Sequence, residues 1–190
     1  MLVLASNSPY RRALLERLRI PFEVLAPRID ERAHPHEAPR DTAIRLAAAK
    51  AHAVAVSRPG DLVVGSDQVA SLEGAAIGKP GTHEAALAQL YAMRGRTVVF
   101  HTAVCLLDAS HGATDADEVP TTVRFRRFTD EQASRYLEID APYDCAGAAK
   151  IESLGIALVE HVESVDPTAL IGLPLIALVG MLGRAGVAIP

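Results

Sequence analysis

Cysteine is scarce in this chain: Cys105 and Cys145 are the only two in 190 residues, each in an apolar setting. That excludes a disulfide framework and predicts buried, reduced thiols in a cytoplasmic protein. No basic region leads into a long apolar stretch at the start, so no signal peptide is expected. The apolar segment from Ala169 to Leu182 is too short to span a bilayer and is broken by Gly172, Pro174 and Gly180, so it reads as a buried helix. Positive charge is not in excess either. The net charge is −4 with 22% charged residues, which argues against attraction to a nucleic acid polymer or an anionic membrane.

Several chemical fingerprints are missing as well. There is no Gly-rich loop ending in Gly-Lys-Ser/Thr, no Gly-x-Gly-x-x-Gly and no Gly-x-Ser-x-Gly, which excludes the P-loop, Rossmann and α/β-hydrolase readings. The seven histidines show neither the paired helical spacing nor the cysteine partners of a zinc site. No covalent nucleophile dyad is evident, and no repeat or linker divides the chain. A hydrophobic content of 49% suffices for one cored domain over residues 1–190.

What is present is an alternation of short apolar strands and longer helical stretches, the pattern of an α/β protein. The expected strands are Leu2–Ala5, Phe22–Ala26, Leu62–Ser66, Arg96–Leu107, Val119–Phe128 and Gly155–Val162. A hairpin is expected over 69–78, turning at Glu73-Gly74, and the acidic stretch between the two long strands reads as a solvent loop. Helices are expected over Pro9–Leu18, Asp41–Ser57, from Thr82 to Met93, from the capping box Thr129-Asp130-Glu131-Gln132 to Glu138, and within a closing region from Asp166 to Arg184. The polar loop from Pro27 to Arg40 is long enough to be functional.

The chemistry concentrates at a few points. Ser6-Asn7-Ser8-Pro9-Tyr10-Arg11-Arg12 follows a strand and opens a helix, where free backbone N–H groups and the macrodipole favour an anion. Ser8 suits the N-cap and Pro9 the first helical position, and the two arginines can fork onto phosphate oxygens. Asp67, placed by the pattern at the carboxyl end of a buried strand, suits a catalytic proton acceptor or a ligand to a divalent cation. Asp30 and Glu31 form a second acidic cluster, and Lys50 and Lys79 add cations. Each alone also fits a bland role: a capped surface helix, a turn-capping aspartate, solvated acids, surface lysines. Together they argue for phosphoryl chemistry, because charge building on a cleaved diphosphate calls for several cations at once.

With those pieces in place the chain resembles the Maf family of nucleotide pyrophosphatases, and within it the branch associated with 7-methyl-GTP. The resemblance covers nearly the whole chain. It rests on Leu-Ala-Ser-Asn-Ser-Pro-Tyr-Arg-Arg at 4–12, Asp30-Glu31, Lys50-Ala51, Gly-Ser-Asp-Gln-Val at 65–69, Gly-Lys-Pro at 78–80, Cys-Ala-Gly at 145–147 and Gly-Leu-Pro-Leu at 172–175. It implies an α/β fold with a mixed sheet flanked by helices, akin to inosine triphosphatases, and two lobes around a central cleft. It also implies hydrolysis between the α and β phosphates, Mg²⁺ or Mn²⁺ as cofactor, a small-molecule nucleotide as partner and often a homodimer. On this basis Asp67, Lys50 and Lys79 are expected to be catalytic. Glu31 and Asp67 are expected to hold the metal, and Ser8, Arg11 and Arg12 the phosphates, with Arg12 in the closer contact. Cys145 and Gln68 depart from the branch that cleaves dTTP and UTP. N7-methylation leaves guanine cationic, so Tyr10, Gln68 and Glu152 are expected to bind the base. Two other readings stay open: a dTTP/UTP pyrophosphatase of the same family, and a nucleotide-binding regulator of cell division.

Overall fold

In the computed structural model, which describes residues 1–189, the apolar opening run forms strand β1 (Leu2–Ala5) and Ser8-Pro9 starts helix α1 (Pro9–Glu16). Ser8 is the N-cap, its Oγ accepting from the Arg11 amide at 3.3 Å, and Pro9 occupies a position that needs no N–H donor. Strand β2 (Phe22–Leu25) then runs parallel to β1. After the 26–38 loop come helix α2 (Pro39–Ala55), strand β3 (Leu62–Leu72), the short strand β4 (Ala75–Ile77) and helix α3 (His83–Met93). Strands β5 (Thr97–Asp108) and β6 (Ala113–Phe125), helix α4 (Asp130–Asp140), strand β7 (Val159–Glu163) and helix α5 (Leu175–Arg184) complete the chain.

The seven strands form one mixed sheet in the order β2-β1-β3-β5-β6-β7, with β4 paired to β3. The β2, β1 and β3 pairings are parallel and the rest antiparallel. Strand alternation sorts the core onto two faces. Leu2, Leu4, Val64, Val104 and Leu106 pack with α1 and α5, whereas Val3, Ala5, Val63, Ala103 and Cys105 pack with α2. A third cluster, with Phe100, Phe125, Leu90 and Leu137, joins α3 and α4 to the distal ends of the strands and makes the second lobe.

The approach of α2 to the sheet depends on Gly65. A β-carbon there would stand 2.1 Å from the Ala47 carbonyl oxygen and 2.7 Å from the Ala51 nitrogen. Small residues on both elements thus let the backbones meet, which carries the neighbouring Lys50 to β3.

Three expectations about the elements are corrected. The acidic stretch 115–118 is not a loop: it is the first half of β6, paired in register with 103–106 of β5. Because β7 reaches only 122–125, that half is an exposed sheet edge, where charge discourages strand addition from other chains. The segment expected as a strand from Gly155 is a 3₁₀ turn over Leu154–Leu158 followed by β7. The third correction concerns Asp67, which lies inside β3 rather than at its end.

No helix among the described residues is long and apolar enough to cross a membrane.

Candidate active site

Strand β3 outruns its neighbour. Strand β1 pairs with Leu62–Gly65 and β4 with Ala70–Leu72, so on that edge residues 66–69 face no strand. The gap opens a cleft of about 450 Å³ between the lobes, walled by the start of α1, the 26–38 loop, α2, β3 and the loop after β4. The edge opens where the chain leaves β1 for α1, so Asp67 reaches the cleft although its strand continues.

Asp67 is 6% exposed and turned toward α2. Lys50 Nζ donates to its Oδ1 at 2.6 Å and stands 3.1 Å from Glu31 Oε1. Lys50 is itself only 4% exposed, while the Glu31 side chain keeps about half its surface in solvent. One buried ammonium therefore ties together the two carboxylates that the sequence motifs singled out. The second Asp67 oxygen accepts no hydrogen bond from the described residues.

Arg11 enters from α1. Its Nε donates to the Gly172 carbonyl at 2.7 Å, and the same carbonyl accepts from Ser66 Oγ at 2.9 Å. Burial pushes the Arg11 guanidinium below its ordinary pKa, against the opposing pull of Asp67 and Glu31. The expectation that Arg12 makes the closer contact is corrected: Arg12 is exposed, pairs with Glu16 at 2.9 Å and does not line the cleft. A helix turns about 100° per residue, and here that turn carries Arg12 past the wall that Tyr10 and Arg11 line, onto the side of Glu16.

Ser8, Tyr10, Gln68 and Lys79 also line the cleft. Lys79 is exposed at the rim, with no carboxylate within ion-pair distance among the described residues. Its segment is anchored: the Gly78 carbonyl accepts from Gln89 Nε2 at 3.1 Å and from the Gly147 amide at 3.3 Å. Gln68 Nε2 is within 3.0 Å of Thr102 Oγ1 and of the Ala169 and Leu170 carbonyls. Its amide hydrogens are therefore committed to the protein, leaving Oε1 as the group it can offer a ligand. Lys150 Nζ stands 5.4 Å from the centroid of the Tyr10 ring and covers one of its faces.

Glu152 is exposed and outside the cleft lining, and Asp30 is drawn away by Arg32, which holds its carboxyl down at about 2. Burial of its inner side raises the Glu152 carboxyl above the usual range, and Asp140 and Asp144 add to the rise. The sequence reading missed Asn7, Thr42 and Asp144 in the wall. Asp144 had a local signal, since it adjoins the Cys-Ala-Gly motif.

Among the described residues no three His, Cys, Asp or Glu side chains gather into a metal cluster. The donor chemistry nevertheless fits Mg²⁺ or Mn²⁺. Glu31 and Asp67 present hard carboxylate oxygens, and such an ion takes one or two of these when substrate phosphates complete its shell.

A mixed α/β sheet whose cleft holds a buried carboxylate–ammonium pair and two further cations, Arg11 and Lys79, has the charge arrangement that suits a polyanionic ligand beside a carboxylate. The chain belongs to the Maf-like proteins, whose family model matches residues 1–185. It is 59% identical over 181 residues to a 7-methyl-GTP pyrophosphatase of Ralstonia nicotianae, covering 95% of this chain and 93% of that one. It is 60% identical over 188 residues to a 7-methyl-GTP pyrophosphatase of Burkholderia pseudomallei, covering 97% and 87%. A relative of the same name from Aromatoleum aromaticum is 54% identical over 189 residues, covering 100% and 97%. The fold is shared with a HAM1 protein from Coxiella burnetii at a TM-score of 0.51 and 15% identity, over 96% of this chain and 98% of that one.

Proposed function

We propose that this chain hydrolyses 7-methyl-GTP to 7-methyl-GMP and diphosphate. The observation that carries the reading is Asp67, held by Lys50 at 2.6 Å with its second oxygen free, in a cleft that also receives Arg11 and Lys79. The names of the relatives, matched over almost their full lengths, supply the nucleotide.

The phosphates lie along the start of α1, where the Tyr10 amide has no intrahelical acceptor, and Arg11 forks onto their oxygens. Glu31 and Asp67 would hold a divalent cation, which when bound supplies positive charge to the phosphate oxygens. Asp67 takes the proton from a water as its oxygen attacks the α phosphorus. The bond from that phosphorus to the α–β bridging oxygen breaks, and the electron pair leaves with the diphosphate. Lys50 and Lys79 offset the charge that builds there. At the other end the base meets Tyr10, the Gln68 carbonyl and Asp144. A cationic methylated base gains from Asp144 in the wall and at longer range from Asp140 and Glu152, in excess of the opposing Lys150 ammonium over Tyr10, whereas a neutral pyrimidine does not.

Chromatography of the products is the test. The wild type is expected to release 7-methyl-GMP and diphosphate, and Asp67→Asn to lose about 10²- to 10⁴-fold in kcat with its circular dichroism spectrum unchanged. Release of 7-methyl-GDP and phosphate, or an Asp67→Asn variant at wild-type rate, overturns the proposal.

A further inference from the structure

Glu31 is presented by a stretch that has almost nothing else to hold it. Residues 26–38 form no strand or helix, and Glu31 through His36 are all exposed. One side chain inside this stretch is an exception. The Glu37 carboxylate accepts from Arg45 Nε at 2.6 Å, from Arg45 Nη2 at 2.7 Å, from Thr42 Oγ1 at 2.9 Å and from the His34 amide at 2.9 Å. Arg45 Nη2 also donates to the Arg32 carbonyl at 3.1 Å, one residue from Glu31. Thr42, Arg45 and Lys50 stand at i, i+3 and i+8 on α2, so one helical face grips the loop at Glu37, at Arg32 and at Glu31 itself.

From this geometry we infer that Arg45 and Glu37 are positioning residues: their forked ion pair fixes the loop so that Glu31 meets Lys50 and Asp67 across the cleft. Neither touches substrate. The Glu37 side chain keeps only 11% of its surface, and the Arg45 guanidinium holds its carboxyl down at about 2. The pair therefore stays ionised well into acid, and its contribution is lost only as pH falls toward that value. A lysine at 45 keeps the charge but cannot contact the carboxylate and the Arg32 carbonyl together in the same planar arrangement. The inference rests on the proposed role of Glu31 as a ligand to the divalent cation.

Two readouts test it on the full chain, with Arg45→Met, Arg45→Lys, Glu37→Gln and, as reference, Glu31→Gln. The first is hydrogen exchange of the amides over 29–36. The second is Mn²⁺ affinity, read by electron paramagnetic resonance with a non-hydrolysable α,β-methylene nucleotide present. Arg45→Met and Glu37→Gln are expected to raise exchange in that segment and to weaken Mn²⁺ about 10- to 100-fold, the usual effect of losing the support of a ligand, with Arg45→Lys in between. Wild-type exchange and Mn²⁺ affinity in Arg45→Met, alongside weakened Mn²⁺ in Glu31→Gln, overturn the positioning role. If Glu31→Gln itself leaves Mn²⁺ binding unchanged, the ligand role of Glu31 fails instead. Exchange over 29–36 then decides alone whether the ion pair holds the loop: faster exchange in Arg45→Met upholds it and unchanged exchange overturns it.

Discussion

Replacing Lys50 by methionine keeps the length and most of the volume of the side chain but removes the only ammonium between Asp67 and Glu31. Breaking a buried ion pair from one side costs about 3–5 kcal/mol, because the surviving charge is left without a partner. The lower end applies here: the cleft admits water, the guanidinium of Arg11 faces the same carboxylates, and the half-exposed Glu31 adds little. At about 2–4 °C per kcal/mol for a chain of this length, a loss of about 3 kcal/mol lowers Tm by roughly 6–12 °C. Thermal melts by circular dichroism at neutral pH, without divalent cations, read this directly. The double variant Lys50→Met/Asp67→Asn removes the orphaned charge and should recover at least half of the loss, while Asp67→Asn alone, which leaves the buried Lys50 ammonium with Glu31 and the new amide carbonyl to face, costs about 1.5–3 kcal/mol. A Lys50→Met protein that melts with the wild type, or a double variant no more stable than Lys50→Met, refutes the assignment of this pair as a buried charge couple.

Two further outcomes follow from the same geometry. Arg11→Ala should raise KM for the triphosphate by about tenfold or more, through loss of charge-assisted hydrogen bonds worth roughly 1.5–3 kcal/mol, whereas Arg12→Ala should leave steady-state kinetics within about twofold of wild type. Both thiols should be inert in the native state. Burial and the neighbouring Asp144 and Glu152 charges push Cys145 up to about 12, and burial aided by Asp115 pushes Cys105 up to about 11. Raised values leave the protonated form dominant at mildly alkaline pH, so a thiol reagent should modify Cys145 about ten- to a hundredfold more slowly in the folded than in the unfolded chain, the loss of thiolate being partly offset by its higher nucleophilicity, a contrast that stopped-flow absorbance can follow.

The parts of this molecule that were legible in its sequence are those set by neighbours along the chain. Ser8-Pro9, Thr82 and the Thr129–Gln132 box each mark a helix start because the cap and the amide it satisfies lie within three residues. Lys50 and Asp67 were each recognisable, but their pairing is a tertiary fact created where Gly65 lets α2 touch β3. The same distance hid the cost of Gln68 to the base pocket, since the 169–170 carbonyls that engage its amide lie about a hundred residues on. The edge half of β6 was hidden for the opposite reason. Aspartate and glutamate disfavour strands locally, yet twelve paired residues of β5 impose one, solvent on the free edge tolerates Asp117, and Glu118, its side chain largely out of solvent, is held by His101 and Arg40. Arg12 was misjudged for want of the helix phase relative to the cleft, which no local pattern supplies.

The central claim is that the carboxylates at one end of the cleft select a cationic methylated base while the cations at the other hold its phosphates. The measurement that tests it most directly is kcat/KM for 7-methyl-GTP, GTP, dTTP and UTP on the wild-type chain and on Asp144→Asn and Glu152→Gln. The account predicts a preference for 7-methyl-GTP over the other three that falls about ten- to a hundredfold when Asp144 is neutralised, the worth of a charge-assisted contact, and less for Glu152 outside the wall. Equal cleavage of dTTP and 7-methyl-GTP by the wild type, or ratios unmoved in both variants, contradicts it.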